Sequence, residues 1–225
     1  MSDFLNQFKP DKEFPDERWS FTTPKLVLKS FVSAFAVYDE DFHKGKLENK
    51  PYPLEPSGYN SRVEDAEVPV FVFDKNPEAT QLRENGWMFL LDNSVVIEER
   101  LRAKLLQIQQ SDLTLLAEEI EDGGPFADHW KMIQSAIPDA EMQIDKFFKL
   151  VGIVLDSNGL EDHAFVGFEF QTSWDKDHGL EIVMHKDRVL ARAGMTELLS
   201  GYGSSIDGIK ATQEFDLAPG DFRLS

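Results

Sequence analysis

The chain has 225 residues, enough for one large domain or two small ones with a proper core. Its 41% hydrophobic and 28% charged residues are globular values and exclude a wholly disordered chain. With 23 Lys and Arg against 41 Asp and Glu the formal charge is −18, which repels phosphate backbones and anionic headgroups and argues against nucleic-acid or membrane binding.

The chain has no Cys, which removes disulfides, thiolate metal sites, redox dithiols and a Cys nucleophile, and favours a reducing compartment. Residues 1–7 carry neither a basic n-region nor an apolar h-region. No apolar run approaches the roughly 20 residues that a membrane-spanning helix needs. A cytoplasmic location is therefore expected. The 18 Phe fall mostly in strand-like runs and read as core filler.

Residues 1–23 are polar, contain Pro10 and Pro15 and show no period, so they are expected to form a loosely attached arm pinned by Trp19 and Phe21. A single α+β domain is expected over 24–200, with a helical middle at 77–149 and a C-terminal antiparallel meander at 150–194; a polar tail follows at 201–225. The first ordered element is expected at 25–28. A strand at 31–38, apolar on both faces, comes next. A long polar passage with Pro51, Pro53, Pro56 and Gly58 covers 39–67. Residues 68–73 read as a strand, with Pro69 at an edge or at the strand's start.

Asn76-Pro77 opens a short helix over 77–85 that Gly86 is expected to stop, and 87–91 is expected to be a strand. Asp92, Asn93 and Ser94 are N-cap types, and Ile97, Leu101, Leu105 and Ile108 then form an apolar stripe at helical spacing. Ser111-Asp112 is expected to break that helix, with a second helical segment over 113–120 ending at Gly123-Gly124. A third helix is expected from Pro125 to Pro138, and 142–150 is open between helix and strand. Strands are then expected at 150–155, 164–172, 180–185 and 189–193, separated by turns at 156–159 and 185–188. A short helix or turn over 195–199 and a glycine-rich stretch over 201–205 close the pattern. Strands, then helices, then strands indicate α+β and argue against an alternating parallel-sheet enzyme fold.

One constellation stands out. An aromatic strand runs into Trp174-Asp175-Lys176-Asp177-His178-Gly179 and returns as an alternating apolar strand. Gly179 suits a positive φ, and Asp175 and Asp177 suit Asx turns, so a braced hairpin with Trp174 packed over the sheet accounts for the pattern. The functional alternative gathers Asp175, Asp177, His178 and His185 around a divalent cation or for acid–base work. His178 and His185 are separated by a strand of roughly 20 Å, which opposes a joint site. The spacing matches no trusted metal motif, and neither a nucleotide loop nor a Gly-x-Ser-x-Gly elbow is present. No cofactor and no catalytic set is expected. His43 and His163 read as loop histidines and His129 as a packing residue.

The pattern Trp-Asp-x-Asp/Glu-His-Gly with its following apolar strand, basic turn and second strand resembles the C-terminal hairpin of uncharacterised bacterial domain families, whose pattern reads close to Trp-Asp-Glu-Glu-His-Gly-Leu-Gly-Val. Lys176 and Asp177 stand where that pattern has two glutamates, and Glu181 replaces its second glycine. The resemblance covers 151–194. It implies no activity and no catalytic residues, but a binding role, since some such families sit among small acidic proteins suspected of neutralising toxins.

A second feature is the crowding of Glu118, Glu119, Glu121 and Asp122 at a helix C-terminus, where the macrodipole disfavours negative charge. It reads as a solvated face or, with Asp39-Glu40-Asp41 and Glu64-Asp65, as an acidic docking patch. Two functions follow. The first is a non-catalytic immunity- or inhibitor-like protein for a basic partner. The alternative is an enzyme or a metal- or ligand-binding domain that uses the hairpin cluster, with Trp174, Asp175, Asp177 and His178 and with His185 at the far strand end.

Overall fold

Alternating apolar residues in the C-terminal third build the frame on which everything else rests. The structure, a computed structural model, describes residues 3–12, 14–23, 68–123, 127, 131, 148–172 and 179–193. Among them a seven-stranded sheet runs in the order β1 (Lys9–Pro10), β2 (Trp19–Thr23), β3 (Val68–Val72), β4 (Phe148–Leu160), β5 (His163–Thr172), β6 (Leu180–His185) and β7 (Arg188–Ala193). Two helices, α1 (Thr80–Asp92) and α2 (Ser94–Glu121), lie between β3 and β4. The fold is α+β, with the C-terminal meander β4–β7 antiparallel throughout.

β3 and β4 pair in parallel, Val70 with Ile153 and Phe71 with Val154, so the early and late strands share one sheet. Parallel neighbours need a crossover, and the two helices belong to it. β3 is therefore interior, between β2 and β4. Pro69 is tolerated because it is the second residue of β3 and lies outside the β4 register, opposite Thr22 of β2.

Both faces of the sheet are buried. On one, Val166, Phe168 and Phe170 of β5 and Ile182 and Met184 of β6 meet the stripe Ile97, Leu101, Leu105 and Ile108 of α2. On the other, Phe71, Val154, Phe165, Val183 and Leu190 form a second cluster. Leu150 and Ile153 share the first face although they are three apart. A register shift between Leu150 and Gly152 inserts the extra residue that restores the alternation.

Several expectations are corrected. Gly86 does not stop a helix, and 87–91 is not a strand: after a 3-10 turn at Pro77–Ala79, α1 runs to Asp92. Its buried residues Arg83, Gly86, Trp87 and Leu90 follow helical spacing. Gly86 is there because a Cβ would come within 3.2 Å of the Ala164 backbone and side chain; a larger residue would push α1 off β5. Ser111-Asp112 does not break α2, which continues for 28 residues. Ser111 faces solvent, where a poor helix former costs little.

The turn expected at 156–159 is also displaced. β4 carries those residues as an irregular stretch, with register shifted between Leu155 and Gly159. The chain reverses instead at Glu161-Asp162, both at positive φ of 48° and 67°, the two-residue hairpin geometry that matches strand twist. The turn at Lys186-Asp187 falls inside the expected break, and β6 has the expected bounds.

Residues expected as a loosely attached arm contribute β1 and β2, and bury Phe4 and Phe8. Phe8, Phe21 and Trp87 stack edge to face at 4.7 and 5.5 Å, carrying the N-terminal segment onto α1. Arg18 pairs with Asp11 at 2.8 Å and covers the Phe71 ring at 4.3 Å. Lys75 Nζ donates to the Phe8 carbonyl at 3.0 Å. The elements expected at 25–28, 31–38, 142–147 and 195–199, the passage 39–67 and the tail lie outside the described residues. So does the third helix, of which only Ala127 and Lys131 are described, both helical.

Candidate functional site

The acidic end of α2 is placed by the stripe that seats the helix on the sheet. Ile97, Leu101, Leu105 and Ile108 fix the helix face, and beyond them Glu118, Glu121 and Asp122 are exposed. Glu119 lies in the same turn, but its side chain is outside the described residues. The helix closes when the Asp122 amide donates to the Glu118 carbonyl at 3.0 Å and Gly123 turns to φ 69°. The last turn holds no basic residue, so the negative end of the macrodipole and these carboxylates add in one direction.

Of the hairpin constellation, Trp174, Asp175, Asp177 and His178 lie outside the described residues. Gly179 adopts the expected positive φ, 59°. His185 ends β6 and is buried, with Nε2 donating to the Leu160 carbonyl at 2.8 Å. Burial lowers its pKa, against the carbonyl bond that raises it, so the ring is held neutral. That bond gives His185 a structural task, tying the β6 end to the β4–β5 hairpin.

His163, expected in a loop, is instead the first residue of β5, its ring 6.4 Å from His185 and 5.7 Å from Phe89. Its Nδ1 donates to Asp162 Oδ1 at 2.6 Å. Lys186 pairs with Glu161 at 2.8 Å, and that hydrogen bond and charge lower the Glu161 pKa. A cavity of about 10 Å³, room for one water, lies beside Phe89, Ile97, His163 and Lys186. It is too small for an organic substrate. Among the described residues no group of three His, Asp or Glu side chains gathers as metal ligands would.

One polar cluster carries no sequence signature. Arg83 of α1, 1% exposed, reaches the carboxyl end of β3 and the middle of β4, just past the residues that pair in parallel. Its Nε donates to the Leu155 and Asp156 carbonyls, each at 3.2 Å, while Nη1 meets the Asp74 carbonyl and Nη2 the Asp74 carboxylate at 3.1 and 2.9 Å. Burial pushes the Asp74 carboxyl up, but the Asn76 amide and the Arg83 charge outweigh it and hold the group below its ordinary value. Asp156 behaves differently. Burial raises its pKa to about 6, against the backbone amides of Asn158 and Ser157 that pull it down. Its Oδ1 accepts from the Asn158 amide at 3.2 Å, while its buried Oδ2 has no hydrogen-bond partner.

A family model described as "Domain of unknown function (DUF6985)" matches residues 63–199. The chain belongs to this family. No curated protein and no solved structure matches it.

The DUF6985 domain thus takes in β3, both helices and the whole meander, together with the acidic end of α2, the hairpin constellation and the Arg83 cluster, while Asp39-Glu40-Asp41 lie before it. Strands β1 and β2 lie before it, and β2 pairs over five residues with the β3 edge of the domain. Cross-strand neighbours Glu169 and Glu181 are buried inside the domain at 5% and 0% exposure, and neither lacks a partner. Sequence reasoning passed over them, as it passed over Arg83 and Asp156. The available signal was an acid at an inward position in otherwise apolar strands, and an Arg on the buried stripe of α1.

Proposed function

We propose that this DUF6985 protein is a non-catalytic protein-binding protein that covers a basic partner, as an inhibitor or immunity protein does. The observation that carries the reading is the exposed acid at the end of α2. Glu118, Glu121 and Asp122 stand where the helix dipole opposes them, by roughly 0.3–1 kcal/mol each, with no basic residue in the turn. A surface shaped only by stability would place Lys or Arg there. The overall charge of −18 extends the same field and would speed encounter with a cationic protein such as a basic nuclease. A cysteine-free composition suits a reducing cytoplasm, and the hairpin resemblance suits a bacterial host.

The test is affinity capture by the tagged chain from host lysate at low and high salt, read by mass spectrometry. One basic protein retained near stoichiometrically is expected. The triple variant Glu118→Lys, Glu119→Lys, Glu121→Lys should slow its association at low salt. Retention of nothing at either salt would sink the reading.

A further inference from the structure

Among the described residues four large apolar side chains are exposed, and three of them, Met88 at 48%, Val95 at 64% and Val96 at 41%, come from one place: the junction of α1 and α2. Hydrogen bonding carries across that junction. The Asn93 amide donates to the Phe89 carbonyl and the Ile97 amide to the Asn93 carbonyl, both at 3.0 Å, although Asn93 itself leaves helical backbone geometry at φ −117° and ψ 19°. Residues 88 and 92 stand one turn apart at the end of α1, and residues 95 and 99 one turn apart at the start of α2. All four are exposed: Met88, Asp92, Val95 and Glu99, with Val96 alongside.

Neither local stability nor chance composition accounts for valines in this turn. A first turn favours acidic side chains, and β-branched residues lose rotamer freedom in a helix. This chain has 41 acids to draw on, yet none stands in the first turn of α2. Single exposed apolar residues are ordinary, but three at one helix junction, with exposed Asp92 and Glu99 beside them, have the make-up of an interface centre.

We infer that the face formed by Met88, Val95 and Val96 is the apolar seat on which a basic protein partner docks, an assignment that rests on the binding role proposed above. Charge selects the occupant. Within four positions along the helices, Glu84, Asp92, Glu98 and Glu99 outnumber Arg100, and the whole chain carries −18. A second copy would bring the same negative field against it. The seat and the acidic end of α2 are 23 residues apart, about 35 Å along the helix. A partner that uses both is a folded protein rather than a short peptide, with carboxylates setting its approach and the apolar seat its residence time.

The test uses two synthetic helical peptides of equal positive charge, one alternating Lys with Leu on an apolar face and one carrying Ser in place of Leu. Binding to the full chain is followed by methyl NMR and calorimetry at about 0.15 M salt, where exposed charge pairs are partly screened. The Leu peptide is expected to shift the methyl signals of Met88, Val95 and Val96. The double variant Val95→Ser, Val96→Ser should weaken it about tenfold, as loss of an interface anchor does, with an unchanged melting temperature and unchanged binding of the Ser peptide. If the Leu peptide binds with those methyls unmoved, or equally to the variant, the seat is wrong while the acidic-binding role stands. If neither peptide binds, the binding role fails as well. Self-association that the same two substitutions abolish would make the occupant a second copy and overturn the proposal.

Discussion

Asp156 and Glu118 are both carboxylates carried by regular structure, but they sit in opposite electrostatic worlds. Asp156 is buried beside Arg83, with one oxygen unpartnered and a pKa raised to about 6. Glu118 is exposed in the last turn of α2, where water solvates its charge. The contrast separates two uses of acid in one chain. Buried acid acts on stability and its pH dependence, and exposed acid acts on encounter with other molecules.

The sharpest way to break this contrast is at Arg83. Its guanidinium satisfies three carbonyls and the Asp74 carboxylate at once, and Asp156 is left beside it. Arg83→Met strands the Leu155 and Asp156 carbonyls in the interior, while the Asp74 carboxylate, 44% exposed, can turn to water. It is expected to cost about 3–5 kcal/mol in urea unfolding, from the two unmatched carbonyls and the lost packing. A loss below about 1 kcal/mol, the worth of an exposed pair, would show that the cluster is not buried in solution.

The next effect is at Asp156, and its sign is opposite to that of an ordinary salt-bridged carboxylate. Because the folded pKa of about 6 lies above the ordinary 3.8, the fold takes up a proton before the unfolded chain does. The resulting stability is fully present below about pH 3.8 and is lost as pH rises through about 6, by about 3 kcal/mol. Asp156→Asn should flatten that part of the difference between denaturation at pH 4 and pH 7. An unchanged slope would assign the titration to another group.

The smallest stability effect is expected at the exposed end. Glu118→Lys with Glu121→Lys should raise stability by no more than about 1 kcal/mol, since the new charges suit the helix dipole and lie in water. A destabilisation beyond that would mean that these carboxylates have partners inside the fold, and it would remove the contrast.

The meander was legible because Phe168, Phe170, Ile182 and Met184 alternate and turn residues punctuate them, so β6 falls where the pattern puts it. The stripe of α2 was legible for the same reason at the other period. What misled was local chemistry overruled by packing. Gly86 looks like a helix stop, yet its missing side chain is what lets α1 lie against Ala164. Asp156-Ser157-Asn158-Gly159 looks like a turn, yet pairing with β5 absorbs it as an irregularity, and Glu161-Asp162 makes the reversal without glycine. The exposure of Glu118, Glu121 and Asp122 follows the sequence reading. The Arg83 cluster does not, because its three elements are brought together only by the parallel pairing of β3 with β4.

That pairing leaves the outer side of β3 to be closed by β2, a strand that stands before the DUF6985 match. The matched segment is thus a unit of sequence but an incomplete unit of folding. Cut out alone, it would present the backbone of Val68, Val70 and Val72 as an open sheet margin, ready to recruit a strand from another chain. Residues 19–23 act as a built-in stopper against that recruitment, so the working boundary of the molecule lies upstream of the boundary of its family.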